Sequence, residues 1–228
     1  MHLMKICFII LFSVVIGFGC NETHDPDGDG EHKKSIIGDK ALQEKWNIVK
    51  SKLHSLNPEW SGQYELESRT TGDGAELKLD LSNKDIEREN NVVGITHYPC
   101  NLKDISPLSN LTSLRKLVLA ETKVQDISPL SKLKLEYLNL CGTNVQNLEP
   151  LRGMPLRRLY LSRTPVNDIS ALSNSQELNR LLVDNTKVES LSALKGIQLI
   201  FLDISGTPAS KDPLPDDLEV KHLINRTK

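Results

Sequence analysis

Leu114-Arg115-Lys116-Leu117-Val118-Leu119-Ala120-Glu121-Thr122-Lys123-Val124-Gln125-Asp126-Ile127-Ser128-Pro129-Leu130 sets a pattern that the chain then repeats every 21 or 22 residues. The anchor positions return as Leu135, Leu138, Leu140, Thr143, Val145, Leu148 and Leu151. They return again from Leu156 to Leu172 and from Leu178 to Leu194, and a shortened copy runs from Leu199 to Thr207. A looser copy precedes them, with Val92, Ile95, His97, Cys100, Leu102, Ile105 and Leu108 in the anchor places. A period of this length, held in phase over several copies, marks one structural unit stacked on itself.

Leu-x-Leu is a period-2 segment, so its two leucines point to one side and the residue between them to the other. A strand that short cannot bury its own apolar face. Stacking copies about 4.8 Å apart lets the strands pair and the leucines form columns, each fully buried leucine contributing roughly 1.5–3 kcal/mol before ordering entropy. Thr122, Thr143, Thr164, Thr186 and Thr207 form a further column, with Cys100 in the first copy. Their hydroxyls suit turn backbone groups that cannot stay unpaired once buried, so they read as structural rather than catalytic. Ser106-Pro107-Leu108, Ser128-Pro129-Leu130, Glu149-Pro150-Leu151, Ser170-Ala171-Leu172 and Ser192-Ala193-Leu194 begin the returning side. Ser before Pro suits a helix start, and the space allows one 3₁₀ or α turn, so Ser170 reads as a cap and not a nucleophile.

These copies resemble the internalin-like, short-repeat class of bacterial leucine-rich repeats. Val124-Gln125-Asp126-Ile127-Ser128-Pro129-Leu130 and Gly153-Met154-Pro155-Leu156 are similar to arrays found in planctomycete-type bacteria. Asn57-Pro58-Glu59-Trp60-Ser61-Gly62 resembles the segment that leads into the first repeat of that family. The resemblance covers roughly residues 40–215. It implies an α/β leucine-rich-repeat solenoid, with a parallel β-sheet on the concave face, short 3₁₀ or helical turns on the convex face and an N-terminal helical cap. For function it implies a protein-binding or surface role.

The expected organisation is a signal peptide over 1–19, a tether over 20–38, a helical cap and entry strand over 39–91, repeats over 92–212 and a C-terminal cap or tail over 213–228. Lys5 precedes an apolar run from Ile6 to Phe18, the length of a signal-peptide core and too short to span a bilayer. The run ends Gly17-Phe18-Gly19-Cys20, which resembles a lipoprotein signal and implies acylation of Cys20. It departs from the usual pattern at Gly17 and Phe18, Gly17 with Gly19 also fits plain secretion, and a retained anchor is the third alternative. By that resemblance Asn21 favours the outer membrane over inner-membrane retention.

Residues 21–38 are polar and charged, the composition of a flexible tether. Asp25-Pro26-Asp27-Gly28-Asp29-Gly30 imitates half of a calcium loop, but Ile36 stands where the bidentate acid belongs, so a solvated spacer is the better reading. From Asp39 a helical stripe places Leu42, Trp46, Val49, Leu53 and Leu56 on one face, ending before Pro58. Leu77, Leu79 and Leu81 read as an irregular entry strand, and Leu214, Leu218, Val220 and Leu223 as a small closing cap.

Alternation puts three columns outward. The first holds Gly94, Lys116, Tyr137, Arg158, Arg180 and Phe201; the second Thr96, Val118, Asn139, Tyr160, Leu182 and Asp203; the third Tyr98, Ala120, Cys141, Ser162, Asp184 and Ser205. Tyr137, Arg158, Tyr160, Arg180, Leu182 and Phe201 are contiguous in this register, in a chain only 4% aromatic. Tyr and Arg around an aliphatic centre are what an interface hot spot needs, although exposed strand positions favour such residues anyway. Cys100 and Cys141 fall two strands apart, about 9.6 Å, too far for a disulfide; Cys141 reads as a small surface residue.

A net charge of −2 gives no electrostatic case for nucleic acid. The histidines do not cluster, and His97 in an inward place reads as a satisfied core residue. No metal spacing, phosphate loop or nucleophile motif appears, so no metal, cofactor or enzymatic activity is expected. The leading reading is a monomeric envelope lipoprotein that binds a protein partner, held to a membrane by its N-terminal lipid. A structural spacer and a carbohydrate- or peptidoglycan-binding protein are the alternatives.

Overall fold

The computed structural model describes residues 40–60, 64–71, 74–81, 85–89, 92–96 and 101–225. Cys20, the calcium-like Asp25–Asp29 segment, His97 and Cys100 lie outside them. Helix α1 (Lys40–Leu56) buries Leu42, Trp46, Val49 and Leu53 and leaves Ile48 on its outer side. Leu56 was expected on the buried stripe but is 48% exposed. It is the last helical residue, and the buried residue at this end of the helix is Asn57 instead. Asn57 is buried and uses its whole amide. Nδ2 donates to the carbonyls of Leu53 (2.9 Å) and Asp104 (2.7 Å), and Oδ1 accepts the N–H groups of Lys103 and Asp104 (both 2.8 Å). One side chain thus joins the helix C-terminus to the first coil.

Ten strands follow: β1 (Glu65–Thr71), β2 (Gly74–Asp80), β3 (Asp85–Glu89), β4 (Val92–Thr96), β5 (Leu114–Val118), β6 (Tyr137–Asn139), β7 (Arg158–Tyr160), β8 (Arg180–Leu182), β9 (Gln198–Asp203) and β10 (Glu219–Ile224). The main sheet has the order β1-β2-β5-β6-β7-β8-β9-β10. β1 is antiparallel to β2, and every later pairing is parallel. Adjacent parallel strands need a crossover, and each is made by one 3₁₀ turn, at Ser106–Asn110, Ser128–Leu130, Glu149–Leu151, Ser170–Leu172, Ser192–Leu194 or, before β10, Pro208–Lys211.

The looser copy expected from Val92 needs correction at its strand. β4 pairs antiparallel with β3 as a separate two-stranded sheet, and the first parallel rung is β2. Leu79 pairs with Leu117, and Leu81 donates its N–H to Val118. Leu77-x-Leu79-x-Leu81 is therefore the true first Leu-x-Leu. The hairpin is inserted after it, and the repeat resumes at Leu102, whose carbonyl accepts the N–H of Lys123.

In register across the sheet run Leu79, Leu117, Leu138, Leu159, Leu181 and Leu202, all fully buried. Behind them the threonine column behaves as expected. Thr122, Thr143, Thr164, Thr186 and Thr207 are buried, and each hydroxyl donates to the carbonyl three residues earlier at 2.6–2.7 Å. Just before each threonine the chain leaves the sheet through a left-handed residue: Glu121, Gly142, Arg163, Asn185 or Gly206, with φ between 55° and 70°. Gly142 also leaves room for the Glu121–Arg163 ion pair, because a Cβ there would lie 2.6 Å from the Glu121 carboxylate.

The serines of the 3₁₀ turns are not the caps they were expected to be. The acceptor lies two residues earlier: Asp104, Asp126, Asn147 and Asp168 each take the N–H of the first turn residue through Oδ1, at 2.7–2.9 Å. An Asx turn reaches that N–H before the helical segment begins, and the Ser128 and Ser170 hydroxyls only donate to the same carboxylates. The fold is a leucine-rich-repeat solenoid.

Candidate functional site

The sheet's outer face follows from its register. In one column the Cα partners are Lys78, Lys116, Tyr137, Arg158, Arg180, Phe201 and His222, one from each parallel strand. In the next they are Asp80, Val118, Asn139, Tyr160, Leu182, Asp203 and Ile224. The six candidate residues therefore fall on four successive strands, β6 to β9, with no gap.

Their packing is graded. Tyr137, Arg158, Arg180, Leu182 and Phe201 are half-buried, whereas Tyr160 keeps only 9% of its surface. The Tyr160 ring meets the Tyr137 ring edge-on, with centroids 5.3 Å apart at 75°. Such a pair contributes about 0.5–1.5 kcal/mol beyond its buried area, so the two rings hold each other in place before any partner arrives. The Arg180 guanidinium carbon lies 5.3 Å from the centre of the Phe201 ring, a cation–π contact that orients both side chains. Two pre-set aromatic groups thus stand on either side of Arg158.

The outward assignment is corrected in two places. Val118 and Asn139, in the second column, are buried, Val118 outside the leucine core; the Asn139 Oδ1 accepts the Cys141 N–H at 3.0 Å, closing the strand end. Asp203 does the same for Ser205 at 2.9 Å. In the third column Ala120, Cys141 and Ser162 are buried. That column lies past the strand, where the chain already bends toward the left-handed residues, so alternation no longer predicts which way a side chain points. Backbone bonds from Glu121 to Cys141, Gly142 to Ser162 and Arg163 to Asp184 stack these turns tightly, and the buried places among them hold the small side chains of Ala120, Cys141 and Ser162. Cys141 is accordingly a buried thiol that lies outside the leucine core, and not a surface one.

Thr96 and Gly94 leave the outer face with β4, since Gly94 pairs with Glu87 in the hairpin. Lys78 takes the first-column place, and His222 extends the same column at the far end. The signal for Lys78 was its position inside Leu77-x-Leu79; for His222 it was Val220 and Leu223 at the spacing of Leu199 and Leu202.

No protein-family model and no curated protein matches this chain. Solved structures do. An internalin C2 from Listeria monocytogenes is similar over 60% of this chain and 72% of that one, with 24% identity and a TM-score of 0.48. An internalin (inlF) from the same species is similar over 83% of this chain and 64% of that one, with 21% identity and a TM-score of 0.45. The leucine-rich-repeat ectodomain of the receptor kinase SOBIR1 from Arabidopsis thaliana is similar over 80% of this chain and 97% of that one, with 20% identity and a TM-score of 0.45.

The rest of the described surface offers little else. One shallow cleft lies between α1 and the first turn, lined by Lys52, Leu56, Ser106, Pro107 and Asn110. Another crosses two turns at Gln146, Asn147, Glu149 and Asp168. Among the described residues no group of three or more His, Cys, Asp or Glu is placed to hold a metal ion. No described helix is long and apolar enough to cross a membrane.

Proposed function

We propose that this protein is a non-enzymatic, envelope-located binding module, anchored by a lipid on Cys20, that takes a protein partner on the outer face of its sheet. The observation that carries the reading is the unbroken, in-register grouping of Tyr137, Arg158, Arg180 and Phe201 beside Tyr160 and Leu182. Rings and guanidinium groups with few free rotors lose little entropy on binding, and the Tyr137–Tyr160 and Arg180–Phe201 contacts have already restricted them.

The anchor rests on the Gly17-Phe18-Gly19-Cys20 signal and the charged spacer that follows it. Such a spacer gives the module reach from a membrane surface.

Tyr137 is the residue to remove first, because Tyr160 is packed deeply enough that its loss would also disturb the sheet. Affinity capture from the native envelope identifies a partner, which is then purified and titrated against full-length protein. Tyr137→Ala and Arg180→Ala should each weaken saturable binding by about tenfold or more, while the domain stays folded and loses only the roughly 1 kcal/mol of its ring or cation–π contact. Absence of saturable binding, or binding indifferent to both changes, would leave the array as a spacer. For the anchor, Cys20→Ala should abolish incorporation of labelled fatty acid and move the protein out of the membrane fraction.

A further inference from the structure

On the seven parallel strands the outer-face column carries one sign of charge. Lys78, Lys116, Arg158 and Arg180 occupy four of these places, the others being Tyr137, Phe201 and His222, and the first carboxylate in line is Glu67 on the antiparallel edge strand β1, the partner of Lys78. At about 4.8 Å per strand the column is roughly 29 Å long. The whole chain is net −2, so this line of cations is a local departure from the average and not a reflection of it.

The acids on the same face lie at its margins or are turned to internal work. Asp80 opens the neighbouring column and Asp203 is its last place but one, before Ile224, with Val118, Asn139, Tyr160 and Leu182 between the two acids. Asp203 accepts the Ser205 N–H, and Asp184 accepts the Ser162 hydroxyl and the Asn185 amide at 2.9 Å. In the row before the column, Glu136 lies 3.9 Å from Arg157. Lys116 is exposed, and Lys78, Arg158 and Arg180 are half-buried, so all four can meet a ligand from one side.

We infer that the partner presents an acidic polypeptide segment with interspersed apolar side chains, laid along this column across the strands. The acids would face the lysine and arginine column, and the apolar groups would meet Tyr160, Leu182 and the edge of Phe201. A polypeptide fits better than a uniformly charged polymer because the aromatic and aliphatic places alternate with the cations instead of standing apart from them. Arginine favours the same choice, since its planar fork pairs with a carboxylate through two hydrogen bonds. The inference rests on the binding-face reading and adds to it the charge of what is bound.

The test uses the full-length protein and a fluorescent synthetic peptide rich in glutamate with interspersed phenylalanine. Its glutamine counterpart and heparin are the comparison ligands. The glutamate peptide should bind, more weakly as salt rises, and Lys116→Gln with Arg180→Gln should raise its Kd about tenfold. Lys132→Gln with Lys134→Gln, which removes the same charge from an exposed segment off the sheet, should leave it unchanged. Equal binding of the glutamine peptide, equal effects of the two double variants, or binding of heparin without the glutamate peptide would each overturn the inference. If the charge variants fail in this way while Tyr137→Ala still abolishes capture of the envelope partner, the acidic ligand is wrong and the binding face stands. If Tyr137→Ala also captures normally, the binding face itself is wrong.

Discussion

The middle coils and the end coils of this solenoid are built by different rules. Between Leu114 and Thr207 every inward place is filled by the same few residue types, and each coil is covered by a copy of itself. At the ends there is no such copy. The first coil is closed by α1 and by a single asparagine that makes four hydrogen bonds. At the other end β10 brings Leu223 into the leucine column opposite Leu202, yet Leu223 stays 42% exposed, with no described coil stacked on it. Stability that comes from stacking is therefore distributed evenly through the middle and depends on single residues at the first coil.

The sharpest way to break this comparison is within one column. Leu138→Ala, at a fully buried place, should cost about 3 kcal/mol, because a cavity between two coils cannot collapse without breaking register. Leu223→Ala, in the same column, should cost less than about 1 kcal/mol. Urea unfolding followed by circular dichroism reads both. Equal shifts would mean that β10 is as firmly covered as the middle strands.

Asn57→Ala tests the other end. It removes the acceptor of two backbone N–H groups and the donor to two carbonyls, at the junction where helix and first coil meet. The expected loss is about 2 kcal/mol, part of it recovered by water reaching the half-buried side. Hydrogen exchange should show where it falls: faster exchange at Lys103 and Asp104, with the strands beyond β6 little changed. Uniform acceleration through the sheet would mean that the first coil does not behave as a separate part.

The same division explains what the sequence disclosed. The leucine and threonine columns were legible because each is repeated, and a wrong phase would have failed in every copy. The inserted hairpin was not, because Val92 and Ile95 happen to match the spacing of Leu114 and Leu117 while belonging to a different sheet. The clean Leu77-x-Leu79-x-Leu81 was the better match and carried the first rung. At the candidate site the columns holding Tyr137, Arg158, Arg180 and Phe201 followed from alternation, since those residues lie inside strands. Ala120, Cys141 and Ser162 did not, because a two-residue period stops where the backbone turns. Their uniformly small size was the available clue. The caps were misassigned for a related reason: serine is a good cap residue, but Asp or Asn two places earlier reaches the N–H first.

Within the middle, Thr164→Val is the milder test. It keeps the shape and removes one hydroxyl donation, to the Leu161 carbonyl at 2.6 Å, so about 1 kcal/mol should be lost. If stacking distributes stability evenly, Thr143→Val should cost the same within a few tenths of a kcal/mol. A clear difference between them would show that the coils are not equivalent.

The smallest effect is one of pH, and it separates the turns from the sheet. The Asp168 carboxylate is held below the usual aspartate range because it accepts the backbone N–H and then the hydroxyl of Ser170. Its folded pKa is thus depressed, so it favours the folded state above the unfolded value, about 3.9, and that contribution disappears as pH falls through the lower folded value. Glu149, paired with Arg152, is shifted in the same direction and acts in the same window. Asp168→Asn keeps an acceptor for the Ser170 N–H, as Asn147 does for Glu149 one coil earlier, so stability near neutral pH should hardly change. Below about pH 4 the decline of melting temperature should become shallower, with the part due to Glu149 remaining. An unchanged acid limb would show that the unfolded chain preserves the same Asp168–Ser170 contacts. The turn would then form locally, before any coil stacks on it.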